Sequence, residues 1–154
     1  MAKSYWLAKT EPYDYSIQDL ERDGQTQWDG VRNYQARNFM RDKMQTGDQV
    51  LIYHSMTDVL GVYGIAEVAG PAHPDTTQFD KKNKYFDEKS TEETPRWWCV
   101  DFTHVETFDE PVTRDDMKAE PGLAEMKLLK RGMRLSVMPV EKSEFDLVKK
   151  MSRR

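Results

Sequence analysis

The segment that most restricts the fold is Gln49-Val50-Leu51-Ile52-Tyr53, an extended run with apolar side chains on both of its sides. Successive residues of a strand point to opposite faces, so such a run has to be covered twice. That is the pattern of an interior strand, paired at both edges and packed above and below. Gly47-Asp48 precedes it as a turn, and Met56 to Leu60 leads into a second strand, Gly61 to Ala69, making a hairpin. Ser4 to Ala8 reads as a short buried strand that ends near Glu11-Pro12. Arg96 to Val105 reads as the strongest strand, with Trp98, Val100 and Phe102 alternating onto one face, and Leu135 to Val140 as the last.

The helical signals are short. Ser16 followed by Asp19 resembles a capping box, with Ile17 and Leu20 as the apolar side of the helix it opens. Asn33 can cap a helix reaching about Met44, in which Ala36, Phe39, Met40 and Met44 share one stripe while Arg37 and Arg41 stand on another face. A further helix is expected over Ala124 to Lys130. A final helix is expected to be capped by Ser143, with Phe145, Val148 and Met151 turned inward. Pro71, Pro74 and the charged run from Asp80 to Glu93 mark a long loop with a short strand around Lys84-Tyr85-Phe86. Irregularly spaced strands broken by short helices predict one α+β domain over residues 1–154, built on a small, mostly antiparallel barrel.

A chain of 154 residues can bury a core without metal or disulfide support. Its one cysteine, Cys99, cannot form an internal disulfide, which favours an intracellular setting, cytoplasmic or nuclear (nucleoid). No apolar run reaches the roughly 18 residues of a membrane helix, and Met1 to Trp6 lacks the apolar core of a signal peptide. A net charge of −4 argues against indiscriminate coating of nucleic acid. The charge is nevertheless uneven. Acids dominate Glu106 to Glu125, whereas Lys127, Lys130, Arg131 and Arg134 form a basic run, and Arg32, Arg37, Arg41 and Lys43 a second one. Such patches can grip a few phosphates, or can simply be solvated faces.

Several side chains have chemistry that these elements do not require. Trp28 sits in a turn between Gly24 and Gly30, either as a lid on the core or as a plate on which a base can stack. Asn33 and Asn38 offer the donors and acceptors that reading a base edge needs, besides their ordinary uses as cap and surface residue. Arg37 and Arg41 are like charges one helical turn apart, a repulsion that a bound anion or neighbouring acids would relieve. Tyr53-His54-Ser55 ends the central strand in three polar-tipped side chains. Lys9 and Glu11 share one side of the first strand, by default as an ion pair and otherwise as a donor–acceptor couple for a ligand.

Catalytic signals are weak. His54 and Ser55 point to opposite faces, and no nucleophile elbow of the Gly-x-Ser-x-Gly kind occurs. Cys99 and His104, five apart, also face opposite ways, and His73 is isolated, so no metal site is expected. Glycine motifs that cradle phosphates are absent; Gly61-Val62-Tyr63-Gly64 reads as a tight strand crossing.

Tyr5-Trp6-Leu7-Ala8-Lys9-Thr10-Glu11-Pro12, Trp28-x-Gly30-Val31-Arg32-Asn33-Tyr34-Gln35-Ala36-Arg37-Asn38, Gly47-Asp48 and Tyr53-His54-Ser55 together resemble the EVE domain. Pro74-Asp75, Pro95-Arg96-Trp97 and Arg134-Leu135-Ser136-Val137 agree with it, so the resemblance spans roughly residues 4 to 150. It implies a fold of the PUA-like superfamily, a curved, mostly antiparallel β-barrel flanked by short helices, related to the YTH, PUA and ASCH domains. It also implies a non-enzymatic module, without cofactor, that recognises a modified nucleobase in DNA or RNA. Carried over residue by residue, the resemblance implies a pocket of Trp28, Asn33, Asn38, Tyr53, His54 and Ser55, edged by Lys9 and Glu11. Arg134 and Ser136 would form its rim, and Arg32, Arg37, Arg41 and Arg134 would hold phosphates. Two rivals stand beside this reading: an ASCH-like hydrolase of modified nucleosides using Lys9 and Glu11, and a small-molecule or protein adaptor that leaves the arginines without an anionic partner.

Overall fold

The computed structural model describes residues 3–154. Its centre is a six-stranded, curled sheet. In chain order the strands are β1 (Tyr5–Thr10), β2 (Gln25–Gln27), β3 (Gln49–His54), β4 (Gly61–Val68), β7 (Asp101–Thr113) and β8 (Val137–Val140); β5 (His73–Pro74) and β6 (Trp98–Cys99) form a separate two-stranded ladder. The order across the large sheet is β2-β7-β4-β3-β1-β8. All of its pairings are antiparallel except β1 with β3.

The doubly apolar run is the interior strand that its pattern demands. Val50 and Ile52 of β3 join Trp6 and Ala8 of β1 in one core, whereas Leu51 and Tyr53 join Leu7 in a second core on the other face. Helix α1 (Ile17–Asp23) and helix α2 (Tyr34–Asn38) cover the first face; α3 (Arg114–Lys118), two 3-10 turns and α4 (Lys142–Met151) cover the second. The β4–β7 ladder slips register twice, and such bulges bend and twist a strand enough to curl the sheet. Gly64 of β4 permits the close approach of α1, because a Cβ there would overlap the Glu106 carbonyl and the Ile17 side chain.

Five local expectations change. The strand expected from Arg96 to Val105 is interrupted at Val100, where the chain passes from the β5–β6 ladder into the large sheet, so Trp97 and Cys99 are buried and Trp98 is half-exposed. The Asn33-capped helix keeps α-geometry only to Asn38 and widens into a π-helical turn over Phe39–Lys43. Lys84 to Phe86 is a turn rather than a strand, with the Tyr85 amide donating to Asn83 Oδ1. The expected helix from Ala124 to Lys130 is replaced by 3-10 turns at Pro121–Leu123 and Lys127–Leu129, while α3, capped by Thr113, lies just upstream. Helix α4 is capped by Glu141 and not by Ser143, the Glu141 amide donating to Glu144 Oε1 at 3.0 Å.

The parallel β1–β3 pair has the largest consequence for function. It brings two carboxyl ends, Lys9-Thr10 and His54-Ser55, side by side at one rim, tied by Ser55 N donating to the Thr10 carbonyl at 2.9 Å. His54 itself turns inward. Its Nε2 accepts the Ile17 amide at 3.1 Å, satisfying a free donor in the first turn of α1, and its ring stacks on Tyr63.

Burial lowers the His54 imidazole to about 4, with Asp19 opposing weakly. Since this is below the value of about 6.5 for an unfolded chain, the unfolded state binds the extra proton first. Stability from His54 is therefore complete above about pH 6.5 and is lost as the pH falls through about 4, by at most about tenfold in the folding equilibrium per pH unit. His73 shifts the other way: burial lowers it, but the hydrogen bonds to Asp101 and the Pro74 carbonyl and the charges of Asp101 and Asp75 together outweigh burial and raise it. Denaturant titrations between pH 4 and 7 on the parent and a His54→Gln variant isolate the effect: the parent's stability is expected to fall more steeply toward pH 4. Parallel curves would show that His54 does not titrate this way.

Candidate functional site

At the rim made by β1 and β3 lies a cleft of about 750 Å³. One wall is Lys9, Thr10 and Glu11 at the end of β1, with Ser55 after β3. Arg134 and Ser136, leading into β8, extend this wall, fixed by Lys9 N donating to the Ser136 carbonyl at 2.7 Å. The facing wall is the loop Trp28-Asp29-Gly30-Val31-Arg32, and Tyr15, Lys84 and Tyr85 close the sides. The size suits a drug-sized or nucleotide-sized guest.

The loop is held by a buried carboxylate. Asp75 is 1% exposed and accepts from Gly30 N at 2.8 Å, from Arg32 Nη1 at 3.1 Å and from Thr77 N at 2.8 Å. Arg32 also donates to the Tyr85 carbonyl at 2.7 Å and lies between the rings of Tyr85 and Trp97, 5.4 and 5.1 Å from their centroids. Buried Gln78 ties the same segment together through the Asp75 and Trp97 carbonyls. Gly30 has φ +82°, and a Cβ there would reach within 2.5 Å of the Tyr85 ring, so only glycine lets Tyr85 rest on this wall.

Trp28 is 7% exposed and packs on Phe102 at 4.9 Å and edge-on to Tyr15. It is therefore a core residue that also borders the cleft, where the sequence had left lid and plate as alternatives.

The structure gathers Lys9, Glu11, Trp28, Arg32, Ser55, Arg134 and Ser136 at this cleft. It does not bring the remaining expected residues there. His54 is buried beneath α1. Tyr53 lines a neighbouring hollow of about 600 Å³ that shares Lys9 and Ser55 with the cleft. Asn33 caps α2, accepting from Ala36 N at 3.0 Å. Asn38 Oδ1 accepts from Arg37 and Arg41 together, and that carbonyl, with Asp42 beside Arg41, relieves the like-charge pair without a bound anion. Arg37 further donates to the Arg96 carbonyl and covers the Tyr34 ring. Arg32 is paired with Asp75 and forms part of the wall.

Among the lining residues that escaped the sequence reading are Tyr15, Asp29, Lys84 and Tyr85. Asp29 was open to inference as the neighbour of Trp28 in the same turn. Tyr85 carried no such signal, since it reaches the cleft only through contacts made across more than 50 residues.

The charges in the cleft are mixed. Crowding by the walls, helped by nearby Asp75, raises the Asp29 carboxyl above its usual value, and the hydrogen bond from Gln27 opposes the rise. Burial lowers the Lys9 ammonium, and the Arg114 charge lowers it further. The expected Lys9–Glu11 ion pair is not formed among the described residues. Burial also pushes the Cys99 thiol far up, which makes it a poor nucleophile. No group of three or more His, Cys, Asp or Glu residues capable of holding a metal occurs among the described residues. No helix among them is long and apolar enough to cross a membrane.

Comparison with known proteins agrees with this architecture. Human thymocyte nuclear protein 1 is 36% identical over 163 residues, covering 94% of this chain and 72% of that protein. A hypothetical protein from Leishmania major superposes with a TM-score of 0.95 at 44% identity, covering 99% of this chain and 96% of the other. The structure of human THYN1 protein in complex with 5-methylcytosine-containing DNA superposes with a TM-score of 0.91 at 35% identity, covering 99% of each chain. The EVE domain family model matches residues 4–151, and the chain belongs to the EVE domain family.

Proposed function

We propose that this chain is a binding module for a modified base in DNA, a methylated cytosine being the leading case, and that the base leaves its stack to enter the cleft. The observation that carries the reading is the cleft itself, a nucleotide-sized space bounded by aromatic and hydrogen-bonding groups in a relative of human THYN1 bound to 5-methylcytosine DNA. Extrusion costs a few kcal/mol of lost stacking and pairing. Contact with Tyr85 and the exposed edge of Trp28 offsets part of this, since each stacked base contributes about 1–3 kcal/mol. The Asp29 and Glu11 carboxyls suit the exocyclic amine of cytosine, which needs an acceptor.

A methyl group is a small handle. Burying one contributes about 0.8 kcal/mol, or about fourfold in affinity. Preference for methylated over plain cytosine is therefore expected to be modest, with most of the affinity common to both. Binding, rather than catalysis, is favoured by the chemistry of the candidate groups. His54 Nε2 already accepts a backbone amide, the Cys99 thiol stays protonated, and Lys9 and Glu11 are not coupled to one another.

Two variants test the reading by titration against duplexes that differ in one methyl group. Asp29→Asn, an isosteric change in the cleft loop, is expected to weaken binding by about 1–3 kcal/mol, the value of a good base-edge contact, with little change in thermal stability. Gly30→Ala is expected to displace Tyr85 and weaken both duplexes while the protein remains folded. A parent that binds both duplexes equally, or variants that bind like the parent, would place base recognition outside this cleft.

A further inference from the structure

The hollow beside the cleft contains a charge arrangement that the base-binding reading does not use. Arg114 follows Thr113, the cap of α3, and its backbone amide donates to the Leu60 carbonyl at 2.8 Å, which fixes it against the loop after β3. Lys9 reaches the same hollow from β1, beside its parallel neighbour Tyr53. Both cations are half-buried, and neither is ion-paired among the described residues. Most other arginines differ: Arg22, Arg32, Arg41, Arg96, Arg153 and Arg154 all have carboxylate partners. Asp58 lies on the outer lip, exposed and unpaired with either cation.

Two like charges held in a partly desolvated hollow repel, and an anion between them would relieve that repulsion. Tyr53, Ser55 and Thr57, which carry hydroxyls, line the same space as the two cations. The Arg114 charge also acts on the Tyr53 phenol, opposing the rise that burial causes. Because Lys9 and Ser55 line both spaces, an anion in the hollow would be joined to a base in the cleft by a short link. A nucleotide strand has that geometry.

We propose that Lys9 and Arg114 seat the backbone phosphate next to the extruded base, so that the hollow and the cleft bind one continuous strand. This rests on the base-binding reading above, but its signature differs. A phosphate contact changes affinity without regard to sequence and sets the salt dependence, whereas a base contact sets the preference.

The test is the affinity of a short duplex carrying one 5-methylcytosine, and of its unmethylated twin, over a range of salt concentrations. It compares the parent with Arg114→Gln, Arg114→Lys and Arg41→Gln, each checked for an unchanged melting temperature. Arg114→Gln is expected to weaken both duplexes by the same several-fold factor and to reduce the salt slope by about 0.9, the loss of one phosphate contact. Arg114→Lys should retain the slope, and so should Arg41→Gln, whose charge is already matched by Asp42. An unchanged slope in Arg114→Gln, a slope reduced only in Arg41→Gln, or a loss confined to the methylated duplex would overturn the phosphate seat. A parent with no methyl preference would count against the base reading alone, while the slope comparison still decides the seat. Absence of binding to either duplex would overturn both.

Discussion

The candidate site depends on one buried carboxylate. Asp75 stands in the excursion between β4 and β7, yet its oxygens hold Gly30 and Arg32, more than 40 residues earlier. Removing the carboxylate would leave the Arg32 guanidinium partly buried without its counter-charge, an expensive state. The same change would free the Gly30 amide. Both walls of the loop would then lose their reference point, because Arg32 also carries the Tyr85 carbonyl and fills the space between the Tyr85 and Trp97 rings. The cleft is thus an outcome of tertiary ties between two irregular segments, supported by a sheet that contributes only the opposite wall.

That division explains what could be read from the sequence. Val50 to Tyr53 and Tyr5 to Ala8 announce themselves because alternation and double burial are local properties, so the central strands and the two cores follow directly. The capping box at Ser16 and the cap at Asn33 are equally local, and both occur as expected. The break at Val100 was not legible, because Trp98, Val100 and Phe102 alternate well enough to suggest one strand. It arises from the switch between two ladders, a choice made by partners distant in sequence. The helix expected over Ala124 to Lys130 is absent among the described residues, where 3-10 turns stand at Pro121–Leu123 and Lys127–Leu129.

The site was legible in part, and for the same reason. Residues on or just beyond strand ends, such as Lys9, Glu11 and Ser55, were located by their elements, whereas Ser136 entered only through the family resemblance. Trp28 was identified by its odd position in a turn, although it belongs to the core as much as to the cleft. His54 shows the weakness of adjacency: Ser55 faces the cleft, while its neighbour points into the protein and holds α1. The arginines show a second weakness. A basic cluster in sequence carries no record of its acids, and Asp75 and Asp42 already answer Arg32 and Arg41. Arg114, embedded in an acidic stretch, stands beside the cleft with no carboxylate partner among the described residues, as do Lys9 and Arg134.

A protein of net charge −4 is suited to a short, specific grip on nucleic acid and not to extended coverage. The most direct test of that account is a crystal structure of this chain with a short duplex containing one 5-methylcytosine. The account predicts the methylated base outside its stack, in the cleft between the Trp28–Arg32 loop and the Lys9–Ser55 rim, against Tyr85. A base still paired within the duplex, or a duplex lying across α2 with the cleft empty, would contradict it.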